Sequence, residues 1–218
     1  TYANQINSQT DLQIPATQSI QSDSPNSTQL QSQNDAQTSN KQENETTTTQ
    51  LNLYSKSSIL IDSATGQILY EHNAYEQLYP ASTTKLMTAI LTLENCQLTD
   101  TVTIEKSSLS GIPPTYTTAA LQPGETLTVD QLLHVLLIPS ANDAANVLAE
   151  YAGGSVSSFV SMMNTKANEL GLSNTHFTNP YGLQDDNHYT TAHDLAIIMQ
   201  YCLKNDDFRK IAGQASCA

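Results

Sequence analysis

Apolar and polar positions divide the chain into segments of different period. Ser58-Ile59-Leu60-Ile61-Asp62 is a short apolar run closed by Ser63-Ala64-Thr65-Gly66, and Gln67-Ile68-Leu69-Tyr70-Glu71 follows. Two short β-prone runs around a turn predict a hairpin. Tyr79-Pro80-Ala81 breaks the pattern. From Ser82 onward, Leu86, Met87, Ile90, Leu91 and Leu93 fall at helical spacing, which predicts a mostly buried helix ending near Asn95. Residues 96–123 read as short extended pieces around the turn-rich Gly111-Ile112-Pro113-Pro114. Thr128-Val129-Asp130-Gln131 is a capping box that opens a helix through Leu137, and Pro139 ends it. Further helices are expected over roughly Asp143–Tyr151, stopping at Gly153-Gly154, and over Val156–Leu170 with Gly171 as cap. Thr191 can cap a helix through Cys202, and Asp206–Ala212 reads as a short last one. Phe177–Leu183 is a loop bearing Pro and Gly. A lone two-stranded hairpin is marginal, so this one needs more strands or a covering helix.

Composition changes the picture first at the N-terminus. Of the first fifty residues, 33 are Gln, Asn, Ser or Thr. Such a stretch has too little apolar surface to offset the entropy of ordering, so residues 1–54 are expected to form a disordered leader. Residues 55–218 remain for a folded domain, ample for a core. No stretch is apolar and long enough to span a membrane. The opening Thr1-Tyr2-Ala3 has the small residues of a cleavage site at positions 1 and 3. With the polar leader it suggests an exported protein.

Charge and cysteine content exclude several partners. Eight basic residues against 21 acidic give a net charge of −13. Nucleic acid needs clustered Lys and Arg, which this chain lacks. The acidity itself reads as solubility. Cys96, Cys202 and Cys217 are odd in number and show no metal-ligand spacing, so no disulfide framework or metal is expected, although one bridge is possible. The histidines, His188 and His193 among them, show no ligand pairing and read as surface residues. No cofactor is implied.

Two short motifs bear on chemistry. Ser82 and Lys85 are three apart, so on a helix the amine reaches the hydroxyl. A hydroxyl becomes a good nucleophile only when a base removes its proton, and Lys serves only when neutral. Burial lowers a Lys pKa, and Lys85 opens a largely apolar helix. The helix N-terminus adds backbone donors near Ser82. The alternative is that Ser82 is an N-cap and Lys85 an ordinary solvated side chain. Ser140-Ala141-Asn142 lies between two apolar helices, where Ser140 and Asn142 can face a pocket. Its alternative is a turn with a cap for the next helix.

Together the motifs resemble the penicillin-recognising serine enzymes, which carry S-x-x-K, then S-x-N, then K-T-G. The chain resembles the D-alanyl-D-alanine carboxypeptidases of the S11 peptidase family over about Ser57 to Ala212. The likeness includes Tyr79–Ala89, Leu137–Ala145, Thr175–Leu183 and Thr191–Ala196. It implies an α+β fold of the β-lactamase and penicillin-binding-protein type. By that resemblance Ser82 is the acyl-ester nucleophile, Lys85 its proton acceptor, and Ser140 a proton relay to the leaving group. Asn142 would bind substrate or Lys85. The implied partners are a peptidoglycan pentapeptide ending in D-Ala-D-Ala and β-lactam inhibitors, and the implied location is the cell envelope.

The third motif departs from this pattern. No Lys of the chain is followed by Thr-Gly or Ser-Gly. The expectation is therefore an incomplete fold that stops short of the C-terminal sheet strands, with low activity and marginal stability. Two rival readings remain. A class A β-lactamase needs a deacylating Glu in a loop, whereas Glu150 and Glu169 fall in helical patterns. A non-catalytic peptidoglycan-binding or penicillin-sensing protein needs no third motif.

Overall fold

The computed structural model describes residues 51–216. The expected leader lies outside the described residues, except for Leu51–Tyr54, which are exposed. So does Cys217.

The hairpin forms where the sequence places it, as β1 (Ser58–Ile61) and β2 (Ile68–His72). They pair antiparallel from Ser58 opposite His72 to Ile61 opposite Ile68, with a register irregularity after Leu60. The turn is tied by Asp62, whose carboxylate accepts the N–H groups of Ala64 and Thr65 at 3.1 and 2.8 Å. The Thr65 hydroxyl, which donates to Asp62 Oδ1 at 2.7 Å, does most to hold the Asp62 pKa below the usual range, and the N–H bonds add to it against the opposing effect of burial.

Next comes a 3-10 turn, Ala81–Thr84, which runs into helix α1, Lys85–Asn95. The sequence pattern predicts one helix from Ser82. The tighter first turn is the difference, and it ends at Thr84. Helix α1 is buried on nearly every side, including Met87, Ala89, Ile90 and Leu91. Among the described residues it packs against the five other α-helices: α2 (Val129–Leu137), α3 (Asn142–Gly153), α4 (Val156–Glu169), α5 (Ala192–Cys202) and α6 (Asp206–Ala212). A helix apolar all round belongs in the middle of a domain.

The extended pieces within 96–123 include β3 (Thr101–Thr103). It pairs antiparallel with β4 (Thr126–Thr128), which hydropathy alone did not mark. Thr128 ends β4 and also caps α2. Its hydroxyl accepts Gln131 N–H at 3.2 Å, and the Gln131 side chain accepts Thr128 N–H at 2.9 Å. Helices α3 to α6 follow the predicted bounds within two residues, and Thr191 caps α5 as expected.

Helix α5 is the cover that the hairpin needs. It packs against β1, and Gln200 donates to Ser63 O at 2.8 Å. Ile59 and Ile61 are half-buried, whereas Leu60 on the alternate face and Leu69 remain exposed. Among the described residues the two hairpins are the only sheets. The fold is thus α+β with a predominantly helical core.

Replacing the cap tests how much local chemistry stabilises this frame. Thr128→Ala removes one reciprocal bond and should cost about 1 kcal/mol. Urea unfolding should show a lower midpoint with an unchanged slope. An unchanged midpoint would mean that packing alone fixes the start of α2.

Candidate active site

Ser82 is exposed within the 3-10 turn, and Lys85 is 3% exposed at the first position of α1. Lys85 Nζ lies 3.2 Å from Ser82 Oγ and 3.2 Å from the carbonyl oxygen of Tyr181. Burial pulls its pKa down from the ordinary Lys value to about 8. The amine is therefore close to losing its proton at neutral pH, in contact with the hydroxyl it would deprotonate. Ser82 is not a helix cap. Thr84 precedes α1 and makes no side-chain cap bond. Ala81 holds φ at 48°, in the left-handed region, to turn the chain into this geometry.

The wall behind the pair is the Phe177–Leu183 loop. Asn179 organises it: its side-chain oxygen accepts the N–H groups of Tyr181, Gly182 and Leu183, and its amide donates to Leu183 O at 2.8 Å. The carbonyls then point at α1. Pro180 O accepts Thr88 Oγ1 at 2.6 Å, one turn beyond Tyr181 O on Lys85. The loop passes so near the nucleophile turn that a Cβ on Gly182 would sit 1.8 Å from Ala81 O. Gly182 also has φ +92°, so both the space and the conformation require glycine.

His188 corrects the expectation of surface histidines. It is 1% exposed and is bonded to Thr84 at the end of the 3-10 turn. Its Nδ1 accepts Thr178 N–H at 3.0 Å, so the proton sits on Nε2, which donates to Thr84 Oγ1 at 2.8 Å. Burial is the main cause that pushes its pKa down to about 4, against the opposing charge of Asp185. A neutral imidazole thus ties Thr84, next to Lys85, to the loop that carries Tyr181. His193, by contrast, is only partly buried against Tyr75 and Asp194.

Ser140 and Asn142 sit at the N-terminus of α3, which packs against α1. Neither caps the helix: the cap position is Ala141, with no side-chain bond. Ser140 is half-buried with φ at 64°, a second strained residue in the two motifs. Asn142 is 5% exposed, and its backbone N–H donates to Thr117 O at 2.9 Å. Among the described residues no hydrogen bond joins Ser140 or Asn142 to Ser82 or Lys85. One turn further along α3, Asn146 Oδ1 is buried without a partner among those residues. The structure therefore unites the first motif directly and carries the second on the neighbouring helix.

The remaining candidates have other work. Glu150 in α3 accepts the hydroxyls of Ser107 and Ser108, and Glu169 in α4 pairs with Lys166 at 3.1 Å. Cys96 and Cys202 are free thiols, and burial pushes the Cys202 thiol up to about 12. Among the described residues no cluster fits a metal, and no helix is long and apolar enough to cross a membrane.

Residues 44–216 match the family model described as D-alanyl-D-alanine carboxypeptidase. The chain belongs to the S11 peptidase family. It is 41% identical over 165 residues to D-alanyl-D-alanine carboxypeptidase DacF of Bacillus subtilis (strain 168), covering 73% of this chain and 41% of that protein. The crystal structure of the D-alanyl-D-alanine carboxypeptidase DacD from Francisella tularensis superposes with a TM-score of 0.69 at 32% identity, over 74% of this chain and 40% of the other. Penicillin binding protein 5 from Haemophilus influenzae gives 0.67 at 35% identity, over 72% and 47%. This S11 chain spans about two fifths of the length of the curated relatives it matches first. Asn179 and Gly182 lie in one of the strings that carried the resemblance, and His188 lies between two of them. Hydropathy and spacing left them unassigned, because their roles depend on contacts made across the fold.

Gly182 is testable against an internal control. Gly124 has φ +84° but nothing near its Cβ position. Gly124→Ala should cost about 1–2 kcal/mol for the left-handed backbone. Gly182→Ala should cost about 1–3 kcal/mol more for the collision with Ala81. Equal losses in urea unfolding would show that the loop does not press on the nucleophile turn.

Proposed function

We propose that this chain carries the nucleophile side of a serine D-Ala-D-Ala carboxypeptidase that trims peptidoglycan stem peptides at the cell envelope. The observation that carries the reading is the buried Lys85 amine, 3.2 Å from the exposed Ser82 hydroxyl. Ser82 Oγ attacks the carbonyl of the penultimate D-Ala as its proton passes to Lys85 Nζ. The tetrahedral adduct collapses by breaking the peptide C–N bond, and the departing D-Ala amine takes a proton through Ser140. This leaves an acyl ester on Ser82. Water then adds to the ester, the Ser82–acyl bond breaks, and the shortened peptide leaves. Asn142, at the start of the adjacent helix, binds the substrate amide. A β-lactam places its strained amide at the same point and acylates Ser82. The relatives named D-alanyl-D-alanine carboxypeptidase and penicillin binding protein support both substrate and inhibitor.

The engagement of Glu150 and Glu169 in other contacts disfavours class A β-lactamase chemistry, in which a Glu activates the deacylating water. The 218 residues contain no Lys-Thr-Gly or Lys-Ser-Gly. An oxyanion-hole donor is worth about 10²–10³ in rate, so acylation by these residues alone is expected to be slower by that factor than in a chain carrying the third motif.

A fluorescent penicillin should label the protein slowly and only at Ser82, as read by mass spectrometry of the labelled peptide. Ser82→Ala should abolish the label, and an adduct surviving that change would sink the proposal. Lys85 must be neutral to accept the proton. Its pKa lies near 8, so the rate should rise about tenfold per pH unit below 8 and level off above it. A rate flat from pH 6 to 9 would remove Lys85 as the base.

A further inference from the structure

Two carboxylates of α3 meet the same surface segment from opposite ends. Asp143 and Glu150 are seven residues apart, two helical turns along one face. Asp143 is 3% exposed. Its Oδ1 accepts Ala119 N–H at 2.9 Å, and its Oδ2 accepts Leu121 N–H at 3.1 Å. Ala120 between them has φ at 56°, so the backbone wraps around the carboxylate as a concave anion cradle at the cost of a left-handed alanine. Glu150 takes the other end, accepting the hydroxyls of Ser107 and Ser108. A third tie is Asn142 N–H to Thr117 O. The span between these ties is turn-rich and mostly exposed, with Leu109, Ile112 and Tyr116 half-buried against the core.

The middle of that span reaches the active site. Tyr181 OH donates to Gly111 O at 3.4 Å, and Tyr116 lies beside Tyr181. Tyr181 is 6% exposed, and its carbonyl holds the Lys85 amine. We infer that Asp143 and Glu150 are positioning residues for acyl transfer, which clamp the 107–121 segment over Tyr181 and so keep Lys85 out of water. The inference rests on the acyl-transfer reading of Ser82 and Lys85. Burial alone lowers the Lys85 pKa, so any loosening of the cover raises it. The other titratable groups at this point are the Tyr181 phenol, whose pKa burial also raises, and the neutral His188 behind Thr84.

The two clamps differ in what they tolerate. Asp143 accepts two backbone N–H groups of the segment and that of Ala144, none of which can reverse, so Asp143→Asn sets a donor against a donor. Glu150 accepts two hydroxyls, which can turn to accept, so Glu150→Gln keeps the clamp and Glu150→Ala loses it. The test is an NMR titration of the full chain labelled with 13C at the lysine ε-carbon, with Lys85→Arg assigning the signal. In the parent protein Lys85 should titrate near 8. Asp143→Asn and Glu150→Ala should raise it by roughly one unit, and Glu150→Gln should leave it in place. Folded Glu150→Ala with an unmoved Lys85, or Glu150→Gln behaving like Glu150→Ala, would overturn the inference. If Asp143→Asn unfolds, the Glu150 pair decides alone. The titration uses no penicillin or peptide, so a shift here with an unreactive Ser82 would fail the proposed function and leave the clamp standing.

Discussion

Placing a lysine amine inside the fold is the constraint around which this structure is organised. An ammonium group taken out of water must be paired or lose its proton, because desolvation costs several kcal/mol. Among the described residues Lys85 has no carboxylate beside it, and its amine meets only a hydroxyl and a carbonyl, Ser82 Oγ and Tyr181 O. Neutral acceptors make the amine tolerable without fixing it as a cation. The same arrangement that solves the burial problem therefore leaves an amine of lowered pKa next to a hydroxyl.

That solution requires a carbonyl to be delivered to one place, which explains much of the polar structure nearby. Asn179 closes the Phe177–Leu183 loop on itself, Gly182 lets it pass against Ala81, and Thr88 fixes it one turn further along α1. His188 joins the loop's first residues to Thr84. Thr84, Thr88 and His188 are buried, Asn179 is half-buried, and the groups satisfy one another, as polar groups in a core must. Strain at Ala81 and Ser140 falls at the two motifs, where packing against α1 and α3 can over-determine it.

The helical core accounts for the order of a domain with so little sheet. Helix α1 contacts every other helix, and α5 covers the β1–β2 hairpin. Its exposed Leu60 and Leu69 show that only part of the hairpin is covered among the described residues. The expectation of marginal stability from an unpartnered hairpin is thus tempered by α5.

Sequence alone determined the helices whose ends carry local chemistry: the Thr128 capping box, the Thr191 cap, and the all-round apolar stretch after Lys85. Those signals act within a few residues, so no tertiary context is needed to read them. It also determined the pairing of Ser82 with Lys85, since three residues on one turn are neighbours by geometry. Tertiary structure decided the rest of the site. The β4 strand is three residues long and marked only by its partner β3. His188 looked like a surface residue because nothing nearby in sequence announces Thr84, 104 residues away. The depressed pKa of Lys85 likewise depends on its burial by segments distant in sequence, the loop of Tyr181, 96 residues away, among them. Burial is a property of the assembled chain, and it is burial that lowers the pKa of this lysine.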